Sequence, residues 1–199
     1  KKLKPGEPET DKYKDSGFDA WDMKAAPVPI LGATTGHGPK IGANEFPIIL
    51  INPGAPLAVM NSINGVQNEN RLWLAPADRS DDPRTQWKPF VDRADDVTSF
   101  DMRGNEIFLL SHKDAPTFKV LAVKAGAPLS SAITLVAAHP DRVIEALHAA
   151  SDALYVQTRK GAYSQLLRIQ TGTTTIEDVA LPTAGHIGAA FTDPRTPGI

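Results

Sequence analysis

Apolar and polar positions alternate along much of this chain in short runs, and the runs return. From Val97 to Gly126 it reads VTSFDMRGNEIFLLSHKDAPTFKVLAVKAG: an alternating run, a Gly turn, an apolar run, a Pro turn and a third run. From Val143 to Gly172, VIEALHAASDALYVQTRKGAYSQLLRIQTG keeps that order at low identity. Ile107–Ser111 overlies Leu154–Thr158 at an offset of 47, and Lys119–Val123 overlies Gln165–Ile169 at 46. Further back, Gly54, Leu57, Val59 and Asn61 fall on Gly104, Ile107, Leu109 and Ser111 at an offset of 50. RLWLA from Arg71 falls on KVLAV from Lys119 at 48, and Phe90-Val91 falls on Leu135-Val136 at 45.

Period-2 runs bounded by Gly, Pro and Asn read as strands. The first unit is expected at 48–51, 57–64, 70–75 and 87–91, with a hairpin signal at Asn64-Gly65. The second is expected at 97–101, 106–112, 118–124 and 133–136, and the third at 143–148, 153–159, 163–170 and 176–180. HIGAAF, 186–191, looks like the first strand of another unit. PDRVIEALHAASDAL is the one stretch with helical spacing. The repeat register overrides it by placing Ile144 and Leu147 on Val97 and Phe100. Segment 1–45 is expected to be loop-rich, with Lys1–Gly17 irregular and an edge strand near Pro29–Leu31.

Four antiparallel strands in about 45 residues is the blade of a β-propeller. The expectation is an all-β chain with about three such blades over 46–199, at about 48–91, 97–136 and 143–180. A sandwich or barrel is the alternative, but its strands need not recur in fours. Seventeen prolines and fifteen glycines supply the punctuation that many short strands require.

Composition narrows the function classes. The net charge is −2, from 21 basic and 23 acidic residues, with no basic footprint for nucleic acid. The longest apolar runs, such as PIILIN, are strand-length, so no membrane helix is expected. KKLKPGEPET is charged with no apolar run behind it, unlike a signal peptide. Without cysteine there is no disulfide, thiolate nucleophile or cysteine–zinc site, and the compartment stays open.

Trp21-Asp22 stands once and outside the repeats, unlike the per-blade pair of WD40 propellers, and the double glycine of Kelch blades is missing. GVQNENRLWLAP, WKPFVDRADDVTSFDMRGNEIFLLSHKDAPTFKVLAV, DRVIEALHAASDALYVQTRKGAYSQLLRI and VALPTAGHIG occur in that order. The set resembles the propeller of the prolyl oligopeptidase family of serine peptidases, over about Phe46 to Gly198. The resemblance implies a seven-bladed lid on an α/β-hydrolase domain carrying Ser, Asp and His. It also implies cleavage of short peptides after proline. Seven blades of roughly 45 residues need over 300, so this chain would hold about half of a ring.

Chemistry within the chain is sparse. No Gly-x-Ser-x-Gly elbow occurs, nor the strand–helix alternation of a hydrolase. Ser164, in GAYSQ, is the serine nearest that context, and it sits in an expected strand. His112 is expected to serve the HKDAP turn. His139, His148 and His186 are scattered without metal-ligand spacing. His37 stands in GATTGHGPK, which lacks the Gly-Lys-Ser/Thr of a phosphate loop. Asp95 and Asp96, adjacent in a strand, would point to opposite faces, so turn duty is expected rather than a shared proton. Trp73 and Trp87 are expected to pack the blade. No catalytic, metal-binding or cofactor-binding residue is nominated, and no cofactor is expected.

The functional expectation is a non-catalytic propeller segment that gates short peptides to a hydrolase domain. A stand-alone propeller acting as a protein-binding scaffold is the alternative. The expected partners are that α/β-hydrolase domain and short peptide substrates, with neither nucleic acid nor membrane. An arc of three blades would also leave the outer faces around 49–75 and 143–169 bare, so a homo-oligomer, or aggregation of the isolated chain, is expected through them.

Overall fold

A computed structural model of the chain describes residues 3–199. Its strands are β1 (Gly17–Ala20), β2 (Val28–Gly32), β3 (Glu45–Leu50), β4 (Leu57–Asn64), β5 (Arg71–Pro76), β6 (Lys88–Val91) and β7 (Val97–Arg103). There follow β8 (Glu106–Ser111), β9 (Lys119–Lys124), β10 (Ile133–Val136), β11 (Val143–Ala149), β12 (Ala153–Lys160), β13 (Tyr163–Gln170) and β14 (Ile176–Val179). They form three four-stranded antiparallel meanders, β3 to β6, β7 to β10 and β11 to β14, and a β1–β2 hairpin. This is the expected all-β fold, with three successive β-propeller blades. Among the described residues the only helical turns are short 3-10 segments.

The chain divides into two compact units. One holds the residues up to Ile51 together with Pro56–Asp92, and the other holds Asn52–Ala55 and Arg93–Ile199. In the first unit the hairpin packs on the β3–β6 sheet. Ile30, Leu31 and Ile41 meet Met60 of β4 and Trp73 of β5, with Phe18, Ile49 and Trp87 at the margin. In the second unit the two sheets share a core. Phe108, Leu110 and Val120 lie against Leu147, Leu154, Val156, Leu167 and Ile169.

Within each sheet, burial follows position. β8 and β12 are central strands buried along nearly their whole length, which explains their continuous apolar runs. The outermost strands β6, β10 and β14 have four residues each, half of them exposed in β6 and β10 and three in β14, and β6 carries Pro89. Short edges with few ladder groups resist pairing with another chain. β7 and β11 each carry a register shift, between Val97 and Ser99 and between Ile144 and Ala146, 47 residues apart. The repeat thus extends to its bulges.

The structure corrects three expectations. The edge strand near Pro29–Leu31 is one arm of a hairpin whose other arm, β1, the pattern did not show. Trp21-Asp22 makes its turn: Asp22 Oδ1 accepts the Lys24 and Ala25 N–H groups, and Trp21 Nε1 donates to the Ala25 carbonyl. Segment 1–45 therefore shares a core with the first sheet, although Lys1 and Lys2 lie outside the described residues. Residues 186–191 form no strand. They meet the third sheet through its side chains instead: Ile187 N donates to Ser164 Oγ, Gln157 Nε2 donates to the Ile187 carbonyl, and Ser164 Oγ lies beside His186 Nδ1. Finally, the sheet faces expected to be bare are covered. The hairpin covers the Met60–Trp73 face, and Leu181 and Ile187 of the C-terminal segment pack on Tyr155 and Leu166.

The HKDAP turn is built as a reverse turn between β8 and β9. Ala115 N donates to His112 O and Phe118 N to Ala115 O, while Asp114 and Phe118 take positive φ. Pro116 sits second in the Ala115–Phe118 turn, where its fixed φ is pre-set. Pro116→Gly is expected to lower stability by about 0.5–1 kcal/mol through the freer unfolded chain. Urea unfolding checks this, and a gain in stability would contradict the turn assignment.

Candidate functional site

Asp101, Arg103 and His148 bring polar groups together where the edge strands β7 and β11 meet in the second unit. Each is the first strand of its sheet and lacks a neighbour on one side within that sheet. Asp101 of β7 accepts the Ala149 N–H of β11 on Oδ2 at 2.7 Å, and its own Met102 N–H on Oδ1 at 2.7 Å. Burial pushes the Asp101 carboxyl up, against the pull of those two N–H donors and of His148. Two residues on, Arg103 donates from Nη1 to the Ala150 carbonyl and from Nη2 to Glu106 Oε2. Its guanidinium lies 5.2 Å from the Phe108 ring centroid.

His148 lies beside this contact. Its Nε2 is buried without a hydrogen-bond partner, and burial pushes its pKa down despite the Asp101 charge. The folded state therefore binds the His148 proton less readily than the unfolded chain does, so this group costs stability as pH falls below about 6.5. Asp101 acts with the opposite sign. Its raised pKa returns stability on protonation, in a lower window set by the carboxylate range. His148→Gln is expected to flatten the stability profile between pH 7.5 and about 5.5 while leaving the pH 8 value within about 0.5 kcal/mol. Denaturant midpoints measured across that range decide it, and parallel profiles would contradict it.

Ser164 is brought together with His186, a pairing that neither residue's surroundings in the sequence announces. Ser164 Oγ lies 3.3 Å from His186 Nδ1 and accepts the Ile187 N–H at 3.0 Å. The serine is buried in β13 and its oxygen is engaged by the C-terminal segment. What the pair does in the structure is fasten that segment to the third sheet.

The remaining candidates occupy turns and cores. His37 N donates to Thr35 Oγ1, and the loop doubles back so tightly that a Cβ on Gly38, at φ +70, would sit 2.6 Å from Leu31 Cβ. His112 N donates to the Asp96 carbonyl, and its ring meets Phe118 edge-on at 5.6 Å. His139 Nδ1 accepts the Asp141 N–H. Asp96 takes φ +53 and donates its N–H to Arg93 O, while the Asp95 carbonyl accepts Ser111 Oγ. Trp73 is buried beneath the Arg71 guanidinium at 4.7 Å, and Trp87 packs at the edge of the same core. Among the described residues no group of three His, Cys, Asp or Glu side chains could hold a metal ion.

A cleft of about 570 Å³ opens in the second unit between Phe108 and Ile133 on one side and Leu154, Ile169 and Thr174 on the other. Arg103, Glu106 and Lys124 line it too, and both cations pair with Glu106, at 2.9 Å and 3.6 Å. The cleft offers apolar contact beside this charged group. Among the described residues no helix is long and apolar enough to cross a membrane.

Comparison with known proteins gives one family. Residues 57–199 match the model of the N-terminal β-propeller domain of prolyl oligopeptidase. No curated protein matches the sequence. Among solved structures, prolyl oligopeptidase B from Galerina marginata, bound to a 25mer macrocyclization substrate, superposes with a TM-score of 0.75. The identity is 10%, covering 98% of this chain and 27% of that one. A structure from a study of two prolyl endopeptidases gives 0.69 at 14% identity, covering 91% of this chain and 26% of that one. Oligopeptidase B from Trypanosoma brucei with covalently bound antipain gives 0.62 at 12% identity, covering 81% and 23%. At these identities the structures show a shared fold. This chain spans about a quarter of their length.

Proposed function

The chain belongs to the family of prolyl oligopeptidase N-terminal β-propeller domains, and from that premise we propose that it is a non-catalytic propeller part gating an α/β-hydrolase domain. The hydrolase domain would carry the Ser, Asp and His of catalysis, and the substrates would be short peptides cleaved after proline. One observation carries the reading: the family match over residues 57–199 begins at the first residue of β4 and takes in every strand of the three four-stranded sheets except β3.

The physical basis for gating is the stiffness of such sheets. Central strands buried along their length and tied to both neighbours do not open for a folded protein, whereas an extended peptide is only one strand wide. The side chains support a lining role rather than a reacting one, because Asp101 and Arg103 of β7 are engaged by the backbone of Ala149 and Ala150. The homo-oligomer expected from bare sheet faces is not part of the proposal, since those faces are packed.

The parent polypeptide provides the test. A hydrolase sequence with Ser, Asp and His after Ile199, and cleavage of a proline-containing octapeptide but not of the same motif inside a folded protein, is the expected result. A parent without that segment would replace this reading with a protein-binding scaffold. Equal cleavage of both substrates would contradict gating.

A further inference from the structure

Three side chains, about one repeat apart, each reach forward to the backbone of a segment almost the same distance along the chain. Asn52, two residues beyond β3, donates from Nδ2 to the Met102 carbonyl of β7 at 2.8 Å, 50 residues on. Asp101, in β7, accepts the Ala149 N–H of β11, 48 residues on. Asp152, just beyond β11, accepts the Gly198 N–H on Oδ1 at 2.9 Å, 46 residues on.

The second and third contacts are each doubled by a backbone carbonyl at the receiving end. Arg103 Nη1 donates to Ala150 O, and Ser151 N donates to Thr196 O. Asp152 is held for the task, with Oδ2 accepting both the Tyr155 hydroxyl and Arg168 Nη2 at 3.0 Å. We propose that Asp101 and Asp152 are one recurring clamp that sets where the inner strand of the next blade lies, and that Thr196–Gly198 occupies the inner-strand place of a further blade.

The chemistry is that of an edge strand. β7 and β11 expose backbone N–H and C=O groups on the side without a neighbour in their own sheet. A side chain from the preceding repeat satisfies one such group, and only one stagger brings the two together. A charged carboxylate suits an N–H, which is the group that both aspartates meet. The partner this site fits is an extended strand offering one free backbone N–H about 46–48 residues on. This places the start of the further blade near Thr196 rather than at His186, where the alternation alone had put it.

Amide hydrogen exchange of the whole chain, read residue by residue by NMR, tests the clamp. In D101A the Ala149 amide is expected to exchange at least about tenfold faster, with the amides of β12 and β13 changed less than about threefold. D101N keeps an acceptor oxygen and is expected to return Ala149 to within about threefold of the parent rate. D152A is expected to release the Gly198 amide by a similar factor while Ala149 stays protected. Because the two sites are read separately, a D101A protein that fails to fold leaves D152A to decide. Uniform acceleration across the sheets, or unchanged exchange at the clamped amides, overturns the proposal.

Discussion

Truncation of Phe108 to Ala is expected to cost the second unit about 3–5 kcal/mol, a large part of the stability of an ordinary domain. Phe108 is 2% exposed and stands in β8, the strand buried along most of its length in the second sheet. Its ring belongs to the cluster that joins the second sheet to Leu154, Val156 and Ile169 of the third. Loss of the ring leaves a void that rigid strands on both sides cannot collapse to fill. It also strips the Arg103 guanidinium of the face it covers at 5.2 Å. Phe108→Leu keeps most of the volume and is expected to cost less than half as much. Denaturant unfolding followed by circular dichroism measures both. A loss below about 1.5 kcal/mol for F108A would show that the two sheets do not share a close-packed core.

Trp73→Ala should have a comparable effect in the first unit, about 3–5 kcal/mol. Trp73 is 7% exposed and packs with Met60, Leu31 and Ile30 where the hairpin meets the sheet. Arg71 lies over its ring and reaches Glu45 at 3.4 Å, so removing the indole also loosens an ion pair at the edge of β3. The β1–β2 hairpin has little other cover, and its amides are expected to lose exchange protection before those of β4 and β5. All three tryptophans, Trp21, Trp73 and Trp87, belong to the first unit, so the two that remain in W73A report on it selectively. Unchanged protection in β1 and β2 would mean that the hairpin is held by something other than this core.

Much of the fold was legible because strands write their pattern locally. β4, β10 and β13 fall where alternation and turn residues put them. β11 was legible only through the repeat. Its own sequence has helical spacing, and the register with β7 overrode it because Ile144 and Leu147 fill positions in a core shared by two sheets. β1 was missed because it has four residues, none fully buried, and is held by a partner rather than by its own pattern.

The site was less legible than the fold. Alternation tells which face a side chain takes, but not which backbone group waits there 46 to 50 residues later. Nothing near Asp101 in the sequence points to Ala149, and nothing near Ser164 points to His186. The covering of the sheet faces was invisible for the same reason, since it depends on a Gly- and Pro-rich segment folding back over Tyr155 and Leu166. The forward offsets of the clamp are the one signal that could have been found, by asking which polar residues recur where inner strands end.

The central claim is that this chain shapes and guards a site whose chemistry lies elsewhere. A peptidase assay on the purified chain, with a chromogenic Gly-Pro substrate beside a known prolyl oligopeptidase, tests it most directly. The account predicts no turnover above buffer, and no difference between the chain and its Ser164→Ala variant. Turnover that survives repurification, is blocked by a serine-directed phosphonate and disappears in S164A would contradict it.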